Sequence, residues 1–124
     1  MQARKKPLVI HSDEVDGFHG MCGLVKELLK PDNSDIRQLS IALITVEPRM
    51  AAIPHKHAVT EEVYYILEGE GIVTIDDAQY RLRRGHAVYI PDGCLHQIAN
   101  TGATTLSLLT VNAPPYDPSD VEET

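Results

Sequence analysis

The sequence predicts an all-β domain, either a sandwich or a barrel. From about Asp35 onward, short segments rich in β-branched and aromatic residues recur at regular spacing, and turn residues separate them. This pattern is typical of such folds. No helical periodicity of useful length competes with it. A chain of 124 residues has room for one ordinary domain with one hydrophobic core.

The strand candidates follow a poorly defined N-terminal part. Residues 24–29 are too short to assign and could form a helical turn or a strand, and residues 31–35 are a turn cluster. Beyond them, turn residues separate six apolar runs, at residues 38–46, 63–67, 72–75, 80–82, 87–90 and 104–111. A further strand is expected to begin at His96, after Pro91 stops the one before it. The proline-rich acidic tail, residues 114–124, is expected to be an ordered strap that frays at its end.

Side-chain parity along residues 62–67 predicts a strand that is covered on both sides. If Glu62 points inward, so do Tyr64 and Ile66, whereas Val63, Tyr65 and Leu67 point the other way. Both faces are then largely apolar, which is typical of a strand without a solvated face. We expect a second subunit to cover the outer face in a homodimer. A second sheet or the N-terminal segment of the same chain is an equally open alternative.

Composition and charge exclude several classes of partner. The net charge of −7 disfavours a nucleic-acid surface. The basic start of the chain is followed by only three apolar residues, 8–10, too few for a signal peptide. No apolar run approaches the ~18–20 residues of a membrane-spanning helix, so we expect a cytoplasmic protein with no membrane contact. Cys22 and Cys94 are too few for a disulfide framework and are expected to be unpaired thiols.

Three histidines and a glutamate have the spacing of a metal site. His55 and His57 flank Lys56, and in a strand, residues two apart point to the same face, so both imidazoles can reach one ion. Glu62 follows, and His96 lies well downstream. Imidazole and carboxylate ligands together suit one divalent transition metal ion such as Fe, Mn, Ni, Cu or Zn.

These residues fall within two segments that together resemble the cupin superfamily. Residues 55–62 with Gly69 resemble the first cupin motif, HxH(x)3-4E(x)6G. The second motif, G(x)5PxG(x)2H(x)3N, is matched at every defined position by Gly85, Pro91, Gly93, His96 and Asn100.

Two positions depart from the cupin pattern. Arg49 stands where the family usually has a glycine, which puts in doubt only a turn that Pro48 could shape instead. His86 stands at an often acidic position that is not a usual ligand.

The resemblance implies a fold and a ligand set. The fold would be the cupin double-stranded β-helix, a jelly-roll barrel, in a single domain of residues 1–124 with a barrel core at about 36–112 and end segments that strap it. The implied metal ligands are His55, His57, Glu62 and His96. Glu62 is preferred to Glu61 because it keeps the seven-residue step to Gly69. Four ligands leave one or two positions open on a five- or six-coordinate ion, as a catalytic metal requires.

The resemblance also implies a range of activities. We favour a metal-dependent enzyme acting on a small organic molecule, as an oxygen-using dioxygenase. Glu62 would double as general base and Tyr64, on the Glu62 face, would line the pocket. The alternatives are a metal- or ligand-binding module without turnover, or a cupin isomerase, decarboxylase or lyase. His11, His19 and His86 have no motif context and are expected at the surface, and Cys94 is expected to be an incidental turn thiol.

Overall fold

A computed structural model describes residues 4–123, which form two antiparallel β-sheets packed face to face. This confirms the predicted all-β jelly-roll fold. Residues 1–3 of the basic N-terminal stretch and Thr124 lie outside the described range. The strands are β1 Phe18–Gly20, β2 Gly23–Leu29, β3 Ser40–Val46, β4 His55–His57, β5 Glu61–Glu68, β6 Glu70–Ile75, β7 Ala78–Arg83, β8 Ala87–Ile90, β9 His96–Asn100, β10 Leu106–Ala113 and β11 Val121–Glu123. Two short 3-10 turns, Ser12–Glu14 and Pro118–Asp120, complete the described elements. Within the same residues, no helix is long and apolar enough to span a bilayer.

The order of the strands places the metal-site segments in facing sheets. The six-stranded sheet runs β1-β2-β3-β10-β5-β8, and the five-stranded sheet runs β11-β4-β9-β6-β7. The ambiguous residues 24–29 therefore belong to a strand, β2, because antiparallel pairing with β3 satisfies their backbone groups. Strands β4 and β9, which carry the three motif histidines, lie side by side in one sheet and face β5 in the other.

The interior changes from apolar to polar along the strands. On β10 the inward residues run Leu106, Leu108, Thr110 and Asn112, and all four are buried. On β5 the same change runs from Ile66 through Tyr64 to Glu62, which confirms the predicted parity of that strand. The apolar end packs into one core with residues of the other sheet, such as Val73 and Ile98. The opposite end is left for polar groups.

The outer face of β5 is exposed within one chain. Val63 keeps 38% and Tyr65 46% of their surface exposed, and Leu67 is half-buried. The described N-terminal strands do not cover this face, because β1 and β2 extend the same sheet beyond β3. The five-stranded sheet packs on the inner face of β5, so both alternative covers, a second sheet and the N-terminal segment, are wrong for the residues that the structure describes.

The C-terminal tail is tied to the strand that carries His55 and His57. Both Asp120 carboxylate oxygens accept hydrogen bonds from the Val59 amide, at 3.0 and 3.3 Å, and one also accepts from the Thr60 amide at 3.0 Å. Beyond this anchor, β11 pairs with β4. This pairing holds the tail against the sheet up to Glu123, and a strap that frays at its end stays a prediction.

Gly69, Gly71 and Asn100 have structural roles at the turns of the sheets. Gly69 has a φ of +86°, and a Cβ on Gly71 would lie 2.6 Å from the carbonyl oxygen of Ala99. A side chain is therefore strained at the first position and sterically blocked at the second. The buried Asn100 Nδ2 donates to the carbonyls of Val46 and Thr104, at 2.8 and 2.9 Å, and so fixes the turn that follows β9.

Arg49, at the position where a cupin usually has glycine, adopts the backbone conformation that favours glycine. Its φ is 68°, and the Met50 amide donates to the Glu47 carbonyl at 3.1 Å. In this four-residue turn from Glu47 to Met50, proline is the second residue and the third has a positive φ, as is typical of a type II turn. Pro48 therefore shapes the turn as expected, while the backbone of the exposed Arg49 is strained.

We expect the Arg49→Gly variant to be more stable than the wild type, by about 0.5–1 kcal/mol. Relief of the left-handed strain contributes ~1–2 kcal/mol, and the added flexibility of glycine in the unfolded chain offsets part of it. Urea unfolding of metal-stripped protein measures the difference. Met50→Gly is the matched control, since the next residue is exposed and lacks a positive φ. The explanation is wrong if both glycine variants lose stability equally.

Candidate metal centre

The structure brings together the four residues predicted as metal ligands. His55 and His57 come from β4, Glu62 from β5 and His96 from β9, and one ligand atom from each lies within 4.8 Å of all the others. All four side chains are buried. Such a group could hold a metal ion.

Strand pairing sets the positions of the histidines. His55 and His57 are two residues apart on β4, so both point inward, and His55 pairs directly with His96 across the β4–β9 ladder. The three imidazole rings consequently pack close together. Ring centroids lie 5.2 Å apart for His55 and His57, and 4.4 Å apart for His55 and His96.

Backbone carbonyls orient two of the three rings. His55 Nδ1 lies 2.8 Å from the Ile53 carbonyl oxygen, and His96 Nδ1 lies 3.0 Å from that of Cys94. A carbonyl can only accept, so Nδ1 carries the proton in both rings. In a neutral imidazole the lone pair then remains on Nε2, the tautomer that metal coordination through that atom requires. Burial lowers the pKa of His55, and this effect outweighs the Ile53 carbonyl, which raises it.

One oxygen of Glu62 faces the imidazoles, and the other faces an amide. Glu62 Oε1 lies 3.1 Å from His96 Nε2 and 3.5 Å from His57 Nε2. With the Asn112 amide turned to satisfy both of its polar atoms, its nitrogen donates to Glu62 Oε2 at 2.8 Å. Asn112 can take this place because β10 pairs it with Glu62 on one side and with Ser40 on the other.

Glu62 brings a negative charge into the buried site. Burial alone would raise the pKa of its carboxyl, but the neighbouring His57 and His96 imidazoles outweigh burial and lower that pKa to about 2. The carboxylate is therefore ionised at neutral pH. A buried carboxylate is costly unless a positive charge compensates it.

Unpaired polar atoms converge on the same place. His57 Nε2, His96 Nε2 and Glu62 Oε1 are buried, and none has a hydrogen-bond partner within residues 4–123. Leaving each unpaired would cost about 1–3 kcal/mol. A divalent cation would accept all three lone pairs and balance the carboxylate charge. Three imidazoles and one carboxylate suit transition metals such as Fe, Mn, Ni, Cu or Zn, so the residues present fit such an ion.

Tyr64 lies beside the site rather than in the cavity. It is fully buried, its ring centroid is 6.2 Å from that of His96, and it is not among the residues that line the cavity described below. Its hydroxyl has no hydrogen-bond partner within the described chain. Burial first, and then the Glu62 carboxylate, raise the pKa of the phenol well above its usual value. The catalytic role of Tyr64 stays a prediction.

A cavity of about 80 Å³ opens beside the four residues. His55, His57 and Glu62 line its inner end, together with Ser40, Thr110 and Asn112. Four further residues line both the cavity and an open groove on the surface, and so define its mouth: Phe18, Glu27, Lys30 and Tyr116. The arrangement provides a route from solvent to the candidate metal position.

Local sequence patterns do not indicate most of the residues that line the cavity, among them Cys22, Asn112 and Tyr116. Cys22 precedes β2, in a segment with no motif, and Tyr116 belongs to the tail, whose closure over the cavity depends on tertiary structure. Only the alternation along β10 could have indicated Asn112. Burial raises the pKa of Cys22 to about 12, with a smaller contribution from Glu62, so its thiol is neutral and not nucleophilic at neutral pH.

Other residues lie where the sequence analysis expected them. His11, His19 and His86 are exposed. Both cysteines are free, and Cys94 is not part of the four-residue group within the described chain. Its backbone carbonyl, by contrast, contacts His96.

Comparisons with known proteins agree with the fold. The cupin domain family matches residues 42–112. An oxalate-binding protein of Thermotoga maritima is 39% identical over 104 residues, which cover 82% of this chain and 86% of that protein. An uncharacterized protein of Methanocaldococcus jannaschii is 36% identical over 99 residues, covering 80% of this chain and 79% of that protein.

Solved structures show the same architecture. A predicted oxalate decarboxylase of Thermotoga maritima superposes with a TM-score of 0.76 at 27% identity, over 86% of this chain and 99% of that one. A polyketide cyclase of Streptomyces resistomycificus reaches 0.81 at 20% identity, over 96% of this chain and 86% of that one, which shows the shared fold alone. Because the family match covers more than half of the sequence, the chain belongs to the cupin family.

Proposed function

We propose that this chain is a metal-dependent enzyme that acts on a small organic molecule, and that its reaction uses oxygen. The convergence of unpaired, buried ligand atoms on one point beside the cavity carries the proposal. His55, His57, Glu62 and His96 would hold one divalent transition metal ion. That ion supplies Lewis-acid polarisation of a substrate oxygen donor and, where redox-active, electron transfer with O2.

The residues of the chain hold and orient the reacting groups. The Ile53 and Cys94 carbonyls fix two imidazole rings, and Asn112 fixes the carboxylate, so that little reorganisation is needed on binding. Strand β10 supplies Thr110 beside Asn112 at the inner end of the cavity. Apolar residues such as Val25, Ile41 and Ile44 line the rest of the cavity and keep bulk water from its polar end, which strengthens electrostatic interactions there.

Glu62 is better suited to hold a cation than to act as a general base. A general base is most effective when its pKa lies near the working pH, and that of Glu62 is about 2. A base role would require the carboxylate to leave His57 and His96. We therefore assign Glu62 first to the metal and keep proton transfer as a second role.

A binding protein without turnover is the second candidate. The observation that favours it is the 39% identity to the oxalate-binding protein of Thermotoga maritima. Both functions use the same four ligands, so the site geometry alone does not separate them. Consumption of O2 does, because only the enzyme uses it.

We expect Glu62→Gln to abolish stoichiometric metal binding, while Glu61→Gln retains it. Both variants remove one negative charge from adjacent residues of β5, but Glu61 is exposed and accepts a hydrogen bond from the Tyr89 hydroxyl. Elemental analysis after loading with Fe²⁺ or Mn²⁺ gives the stoichiometry, with one ion per chain expected for the wild type and Glu61→Gln. Equal loading of both variants would show that Glu62 is not a ligand.

Oxygen uptake tests the proposed reaction. Wild-type protein loaded separately with Fe, Mn, Ni or Cu is supplied with small oxo acids, enols and catechols, and uptake is followed with an oxygen electrode. We expect metal-dependent uptake with at least one combination, which Glu62→Gln lacks. Tight ligand binding without uptake in every combination would favour the binding protein and overturn the enzyme.

We further propose that the chain forms a homodimer through the outer face of the six-stranded sheet. Register places Leu109 of β10 between Leu43 of β3 and Tyr65 of β5, and Val63 of β5 beside Tyr89 of β8. These side chains form a continuous apolar surface across four strands. Surfaces of this kind mark interaction sites when they exceed a few hundred Å².

Light scattering at micromolar concentration is expected to give twice the 13.7 kDa of one chain. Tyr65→Lys should shift the mass toward that of the monomer, because it places a charge within the proposed interface. Tyr80→Lys is the control, since Tyr80 is 52% exposed on β7 of the other sheet. A monomeric wild type would show that the exposed face has another role.

A further inference from the structure

We infer that the cavity selects a small molecule with one anionic oxygen-donor head and an apolar body, and that it disfavours substrates with a second anionic group. The inference rests on the proposed function, because the head is taken to bind the metal held by the four ligands. Three properties of the cavity support it: its wall, its charge and its size.

The wall of the cavity is largely aliphatic and aromatic beyond the metal end. Six apolar residues from β1, β2, β3 and the turn between β1 and β2 line it: Phe18, Met21, Val25, Leu29, Ile41 and Ile44. An apolar substrate body gains free energy here in proportion to the area that it buries. A polyhydroxylated or doubly charged body would lose hydration without replacing its hydrogen bonds.

The charges around the cavity leave room for one negative charge. A divalent ion held by one carboxylate and three imidazole ligands carries a net charge of about +1, which one anionic head neutralises. Lys30 is the only lysine or arginine among the described residues that line the cavity. Its Nζ is already paired with Glu27 Oε1 at 3.2 Å. A second carboxylate or a phosphate would therefore meet no free cation.

The size of the cavity limits the substrate. Each water-sized group needs ~10–15 Å³ of such space, so the cavity of about 80 Å³ admits roughly five to eight non-hydrogen atoms. Larger molecules would extend past the mouth, where Phe18 and Tyr116 are 47% and 40% exposed. These two rings offer contacts to an apolar or planar extension.

A matched pair of acids tests the inference on Co²⁺-loaded protein whose metal content has been measured. 2-Oxopentanoate and 2-oxoglutarate share the same chelating head and carbon chain, and differ only in a terminal methyl or carboxylate. Titration followed by the visible absorption of Co²⁺ reports binding without turnover. We expect 2-oxopentanoate to bind at least about tenfold more tightly, because its tail meets the apolar wall.

A charge variant tests the role assigned to Lys30. Glu27→Gln frees Lys30, so the affinity for 2-oxoglutarate should rise about threefold or more while that for 2-oxopentanoate changes little. Glu68→Gln is the control, because it makes the same charge change at an exposed residue that does not line the cavity.

The outcomes separate this inference from the proposed function. Protein that does not take up Co²⁺ at the four ligands would overturn both. Metal-loaded protein that binds 2-oxoglutarate as tightly as 2-oxopentanoate, or binds neither acid, would overturn the inference and leave the metal site intact. An equal effect of Glu27→Gln on both acids would likewise overturn the selection by charge.

Discussion

The buried Glu62 carboxylate is the constraint on which the rest of the site depends. An anion placed among three imidazoles is stable only when a positive charge balances it, either protons on the rings or a metal ion. The carbonyls that hold Nδ1 of His55 and His96 fix the protons on the outer nitrogens. Asn112 occupies the second carboxylate oxygen. Each neighbour therefore leaves a lone pair directed inward, and a cation is the partner that satisfies all of them at once.

The same strands build both the core and the site. The period of two sends alternate side chains inward along each strand, and the chemistry changes partway, from Leu108 to Asn112 on β10 and from Ile66 to Glu62 on β5. Burial of the apolar half fixes each strand, and the polar half of the same strand is thereby held in position. A site on rigid strands keeps its geometry better than one on loops.

The sequence predicted what depends on local spacing. The two inward imidazoles of β4 and the parity of β5 follow from strand period, and the four ligands were found from two short segments. The residues that were missed depend on long-range contacts. Tyr116 reaches the cavity only because its amide bonds to Ser40 Oγ at 2.9 Å, 76 residues away in sequence, and no local pattern indicates that pairing. At Arg49 a local sequence pattern was incomplete although the turn formed. Its φ of 68° keeps the turn at a position where a cupin usually has glycine.

The C-terminal tail supports the metal site through the strand that carries His55 and His57. Strand β4 has only three residues and shares a single residue pair with β9, too few to fix two ligands alone. Strand β11 supplies three further pairs on its other edge, opposite His57, Lys56 and His55. Asp120 anchors the start of β11 through the Val59 and Thr60 amides, in the loop that leads from β4 to Glu62. The tail thus supports both the histidine pair and the approach to the glutamate, so the order of the metal site is coupled to docking of the last strand.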